Sequence, residues 1–156
     1  RLRLTTLTVT VNAVKAETAV NFYDFVVLNG QRFQGLEAAR ILLERQQQGI
    51  LAAVAAGLAV KINSVLVPDL NDAEIPDIAE TFGAAGVRLM NIMPLIPLHR
   101  MAKYQAPDCG QLRNVRAESE KHIPQFRHCK QCRADAVGVP GFERKDHTCP
   151  TEYFHF

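Results

Sequence analysis

The chain has 156 residues, 47% hydrophobic and 22% charged, a globular composition that excludes wholesale disorder and fibrous classes and suits one domain or part of a larger one. Eighteen basic against sixteen acidic residues give a net charge of +2, too balanced to point to a nucleic-acid partner. Tryptophan is absent and aromatics are 7%, which argues against a carbohydrate or base-stacking platform.

Residues 4–14, LTTLTVTVNAV, alternate Thr8, Thr10 and Asn12 with Leu7, Val9, Val11 and Ala13, the period-two pattern of a strand. Its apolar face suits packing against helices. Its polar face is either solvent-exposed or the inside of a ligand-binding barrel. Residues 16–27 place Val20, Tyr23 and Val27 on one stripe and predict a helix. NGQRFQG, residues 29–35, reads as a turn or a small hairpin. Strong helix formers then run over 36–56, with Gly57 placed to close the helix. Residues 58–68 predict a second strand, carrying Lys61 and Asn63 and ended by Pro68. Asn71 or Asp72 can cap the next helix, predicted over 73–84. Residues 87–97, VRLMNIMPLIP, predict a third strand with Asn91 inside it. After a loop from residue 98, QLRNVRAESEKHIPQ predicts a charged amphipathic helix ending near Pro124.

Strand, helix, strand, helix, strand with short connections is the pattern of a parallel α/β sheet. Each strand carries one asparagine towards its carboxyl end: Asn12, Asn63 and Asn91. Ligands of such folds sit at the carboxyl ends of the strands. Three carboxamides there point to a ligand, although any one of them alone suits a structural hydrogen bond. Met90, Met93 and the stripe of Leu36, Leu43 and Ile50 are packing residues. No apolar run has the length to span a bilayer, and no signal peptide is visible. The expected location is the cytoplasm, with no membrane partner.

The four cysteines are too few for a disulfide-stapled mini-protein. Cys129 and Cys132 form a C-x-x-C pair in RHCKQCRADAVG, residues 127–138, which suits a metal, a cluster or a redox dithiol. A redox pair sits at a helix start just after a strand. This one follows a charged helix and precedes a loose tail, residues 139–156, so metal binding is favoured. Zinc would draw on Cys129, Cys132, Cys149 and His147 in a small metal-stabilised module. An iron–sulfur cluster would use the thiolates, with Arg127, Lys130 and Arg133 offsetting its negative charge. Cys109 and Cys149 read as free thiols, and His128 as a hydrogen-bonding neighbour of the cluster rather than a ligand.

TVTVNAV at 8–14, LLERQQQGI at 42–50, VKINSVLVPDLND at 60–72, NIMPLIP at 91–97 and RHCKQCRADAVG at 127–138, in this order, resemble the NifB family of nitrogenase cofactor-maturation proteins. The resemblance covers roughly residues 6–138. It implies a radical S-adenosylmethionine (SAM) enzyme with a partial (βα)6 barrel of the TIM type. Residues 1–126 would be its C-terminal half, holding strands four to six, and residues 127–138 a segment of cluster ligands. The implied activity fuses two 4Fe–4S units and inserts a SAM-derived carbide, giving the eight-iron precursor of the iron–molybdenum cofactor. The resemblance further implies that Cys129 and Cys132 ligate one substrate cluster and that Asn12 and Asn63 line the SAM pocket. Iron–sulfur cluster donors and the carrier or scaffold proteins of nitrogenase assembly would be its partners.

The family's C-x-x-x-C-x-x-C motif, which holds the SAM-cleaving cluster, has no counterpart here, nor does its glycine-rich segment for the SAM amino group. Both would lie before Arg1. A truncated chain, inactive alone and aggregation-prone at its first strand, is the expectation. Other readings are a different radical SAM enzyme with an auxiliary C-terminal cluster, the zinc module, and a carrier that only passes clusters.

Overall fold

The computed structural model describes residues 4–126. The elements in order are β1 (Thr6–Thr10), α1 (Ala16–Ala19), β2 (Phe25–Leu28), β3 (Gln31–Gln34), α2 (Gly35–Ala55), β4 (Ala59–Leu66), α3 (Ile75–Ala84), β5 (Leu89–Pro94), a 3-10 turn (His99–Lys103) and α4 (Cys109–Glu120). β1, β4 and β5 form a parallel sheet in the order β1-β4-β5. The expected parallel α/β sheet with flanking helices is borne out.

The core lies on one face of this sheet. Val60, Ile62 and Leu66 of β4, with Met90 and Ile92 of β5, pack against Ile50 of α2, Ile75, Ile78 and Phe82 of α3 and Leu112 of α4. Ser64, fully buried on the same face, donates its hydroxyl to the Val11 carbonyl, so its polar atom costs the core little. α3 runs close to the chain after α4. A Cβ on Gly83 would lie 2.6 Å from the His122 carbonyl oxygen, so only glycine fits there.

Four local expectations are corrected. First, β1 stops at Thr10 rather than residue 14. The Asn12 side chain accepts from the Val65 N–H at 2.9 Å, taking the place of a further ladder bond. Second, the helix expected over 16–27 is a single turn, and Phe25–Leu28 is a strand paired with β3. Its FVVL run is aromatic and β-branched. Asn29 and Gly30, at φ of 52° and 81°, turn it into a hairpin through the two positive-φ positions that a tight turn of this hand needs. Third, neither Asn71 nor Asp72 caps α3. Glu74 holds that position without a side-chain cap, and Asn71 is instead drawn inward as a buried brace. Fourth, α4 begins at Cys109 and ends at Glu120. It starts early because Asp108 and Gln111 form a reciprocal capping box. Beyond α4, buried Ile123 anchors the chain. Met90 N–H then donates to the Pro124 carbonyl and Phe126 N–H to the Met90 carbonyl, so residues 124–126 run beside β5 at the sheet's edge.

Candidate ligand face

Register partners in a parallel sheet point to the same side. Thr10 pairs with Asn63, and Asn63 with Asn91, so these three form one row across the face opposite the core. Thr8, Lys61 and Leu89 make the row below it, and Val65 and Met93 stand above it. Thr8 and Thr10 are exposed, while Lys61, Asn63 and Val65 are half-buried. Among the described residues, the helices of the main core pack on the other side. The ring of Phe126 does lie here, 5.0 Å from Lys61 Nζ.

The three asparagines differ in what their carboxamides do. Asn12 is engaged at both ends: its Oδ1 accepts from Val65 N–H and its Nδ2 donates to the Tyr23 hydroxyl at 3.3 Å. Burial pushes the Tyr23 phenol up from its ordinary pKa, against smaller opposing effects from Gln46 and Asn12. Asn63 and Asn91 are different. The Oδ1 of each is buried without a protein partner, and Asn91 is only 1% exposed. An unpaired buried acceptor costs about 1–3 kcal/mol, so the pair suits a donor brought by a ligand. Sequence periodicity placed Asn91 on its strand, but its burial and its lateral pairing with Asn63 come only from the fold.

Around the carboxyl ends of the strands, Asn71 is fully buried. Its Oδ1 accepts from Val67 N–H at 2.8 Å, and its Nδ2 donates to the Asn12 and Val65 carbonyls at 2.8 and 2.9 Å. The Glu74 carboxylate accepts from the N–H groups of Val14 and Lys15 and from the Thr18 hydroxyl. These two side chains fix the segment after β1 to the segment after β4. A cavity of about 380 Å³ lined by Asn21, Asp24, Arg100 and Lys103 opens nearby. Arg100 and Asp24 pair across it, and none of Asn12, Asn63 and Asn91 reaches it.

Cys129 and Cys132, the whole segment 127–138, the tail 139–156 and the zinc alternatives His147 and Cys149 lie outside the described residues. Among the described residues there is no group of three or more His, Cys, Asp or Glu suited to a metal ion, and no helix is long and apolar enough to cross a membrane. Cys109 is disulfide-bonded, which corrects the free thiol expected at that position. Phe126, held at the sheet edge, precedes Cys129 by three residues, which span at most roughly 11 Å when fully extended.

Fold and site together define a parallel α/β protein with a polar sheet face that carries two unpaired buried acceptors. No protein-family model matches the chain. The chain is 44% identical over 138 residues to the FeMo cofactor biosynthesis protein NifB of Methanocaldococcus infernus, covering 88% of this chain and 45% of that protein. It is 45% identical over 138 residues to the protein of the same name from Methanocaldococcus jannaschii, again 88% of this chain and 46% of the relative. Against NifB of Klebsiella pneumoniae the figures are 40% over 144 residues, 88% of this chain and 31% of the relative. The chain is thus similar to NifB proteins over most of its length, as the sequence motifs indicated, and spans a little under half the length of the archaeal relatives.

Proposed function

We propose that this chain is the C-terminal part of the radical SAM barrel of a nitrogenase cofactor-maturation enzyme, its three parallel strands being the fourth to sixth of a partial (βα)6 barrel. In this reading the enzyme fuses two 4Fe–4S units and adds a SAM-derived carbide to form the eight-iron precursor. The observation that carries the proposal is the similarity to NifB along 88% of the chain. Neither the zinc module nor another auxiliary-cluster enzyme has a comparable observation behind it.

The described residues bear on the SAM part of this reading, and the C-x-x-C sequence on the cluster part. The unpaired acceptors of Asn63 and Asn91 suit the hydroxyl and amino donors of SAM, which when bound supplies the adenosyl radical and the inserted carbon. Asn63 would be the residue that contacts it directly. Asn12, engaged at both ends, shapes the pocket by holding Val65 and Tyr23 in place. Cys129 and Cys132 hold one substrate cluster as thiolates, and Arg127, Lys130 and Arg133 offset its charge. Pinning residues 124–126 to β5 shortens the leash between these thiolates and the polar face. The partners proposed are iron–sulfur donors and cofactor carriers of nitrogenase assembly, met in the cytoplasm.

The test is anaerobic reconstitution of the intact protein and of its Cys129→Ala/Cys132→Ala variant. The variant should lose about four iron atoms, one 4Fe–4S unit, and still cleave SAM reductively. Unchanged iron content in the variant, or stoichiometric zinc in a colourless wild-type protein, would overturn the assignment.

A further inference from the structure

The outer edge of β5 carries two kinds of bond. Met90 N–H donates to the Pro124 carbonyl, and the Met90 carbonyl accepts from Phe126 N–H. That is one repeat of a parallel ladder, with Gln125 opposite Met90. Two residues further along each segment, the next rung would run from the N–H of residue 128 to the Ile92 carbonyl. That carbonyl is already engaged. Arg116, half-buried on α4, donates to it from Nη2 at 2.6 Å and from Nε at 3.2 Å, enough to use both of its lone pairs. Arg116 thus blocks the rung that would follow Phe126. The point at which the ladder is blocked matters because the C-x-x-C pair follows at once. Side chains of a strand alternate between its faces, so positions 129 and 132, an odd number apart, face opposite ways in a strand. Cys129 and Cys132 can turn to one metal site only where the ladder has ended.

We propose that Arg116 is a positioning residue for the cluster assigned to Cys129 and Cys132. By taking the Ile92 carbonyl it keeps the ladder from running on into the C-x-x-C pair, and both thiolates are left able to face the same iron–sulfur unit. Arg116 acts through the backbone of β5 and not on the cluster itself. Lys61 supports it from the ligand face, where its ammonium lies 5.0 Å from the Phe126 ring and holds the last paired residue by a cation–π contact. The proposal rests on the cluster reading of the C-x-x-C pair and adds the residue that prepares the pair to bind. A plain brace between α4 and β5 would have the same hydrogen bonds, but its effect would not depend on the N–H of residue 128.

A double-mutant cycle in the intact, cluster-loaded protein tests it. Arg116→Met removes both donors and keeps an unbranched stem. It should speed the loss of the iron held by Cys129 and Cys132 to a chelator about tenfold, as expected when hydrogen bonds from a charged group are lost. His128→Pro removes the N–H that the opened rung would recruit, so Arg116→Met should add no further iron loss in that background. In the cluster-free protein, the His128 amide should exchange about tenfold more slowly in Arg116→Met than in the wild type. Arg116→Lys, which keeps a donor, should restore most of the iron retention. If Arg116→Met does not fold, judged by its urea midpoint, Arg116→Gln, which loses the guanidinium fork, gives the same cycle. An equal rise in iron loss in both backgrounds, no rise in either, or an unchanged His128 amide overturns the positioning role and leaves the cluster reading standing. Iron content that Cys129→Ala/Cys132→Ala leaves unchanged overturns both.

Discussion

Asn71→Asp is nearly isosteric and separates what Asn71 donates from what it accepts. The bond from Val67 N–H to Oδ1 survives the change. The two bonds that Nδ2 donates, to the Asn12 and Val65 carbonyls, are replaced by an oxygen facing two oxygens. Each lost bond removes about 1 kcal/mol, and each orphaned buried carbonyl adds a penalty of similar size. A carboxylate at a fully buried site adds desolvation. The expected total is about 3–5 kcal/mol, a large share of the 5–15 kcal/mol typical of a domain. Urea unfolding of the intact protein, followed by far-ultraviolet circular dichroism, measures it. A buried carboxyl facing carbonyls has its folded-state pKa raised above the unfolded value, so the charged form carries the deficit. As pH falls through that raised pKa, the neutral acid regains one O–H donor and the deficit should shrink. A loss below about 1 kcal/mol at neutral pH, or a loss that grows with acid, would refute the view that Asn71 ties the two strand ends together by donation.

Three further outcomes are expected. Glu74→Ala removes the acceptor of two backbone N–H groups and the Thr18 hydroxyl and should cost about 2–4 kcal/mol by the same urea assay. Glu74→Gln, which keeps one acceptor oxygen, should lose less. Tyr23 has its pKa raised above 10.0 by burial, so the unfolded chain releases this proton first. Its contribution is complete below about pH 10 and is lost as pH rises through the folded-state value. Tyr23→Phe should therefore flatten the alkaline limb of the stability curve, and an unchanged limb would contradict the burial argument. Gly83→Ala drives a methyl group against the His122 carbonyl and Ile123 and should lower stability by about 1–3 kcal/mol, read from the thermal midpoint.

The sheet was legible in the sequence because both of its signals are local. β4 and β5 are short apolar runs between helices of strong formers, and their spacing allows only a parallel arrangement. What the sequence did not disclose depended on competition between local and distant partners. The stripe of Val20, Tyr23 and Val27 fits a helix, yet Phe25–Leu28 has a better partner in Gln31–Gln34 across the Asn29-Gly30 turn. Asn71 and Asp72 look like caps from their distance to the next helix. The fold instead draws Asn71 59 residues back to Asn12, a contact that no window of sequence contains. The site divides in the same way. Three asparagines on three strands could be read directly. That Asn12 is spent within the protein while Asn63 and Asn91 are not follows only from register and burial.

This division of labour accounts for how one residue type serves two purposes on a single sheet. Side-chain amides at the strand ends, Asn12 and Asn71, satisfy backbone groups that a longer ladder would have used. They let the strands stop and the chain turn without leaving buried N–H and carbonyl groups unpaired. The loops at the carboxyl ends are then held rigidly, with the Glu74 carboxylate adding a charged tie between them. Rigid ends are what allow the middle row to stay under-satisfied. Acceptors on a mobile sheet would find water or each other, whereas Asn63 and Asn91, fixed in register on paired strands, keep their oxygens available. The cost of about 1–3 kcal/mol for each is recovered when a donor arrives, so the energy withheld from folding becomes binding energy at the row where SAM is proposed to bind.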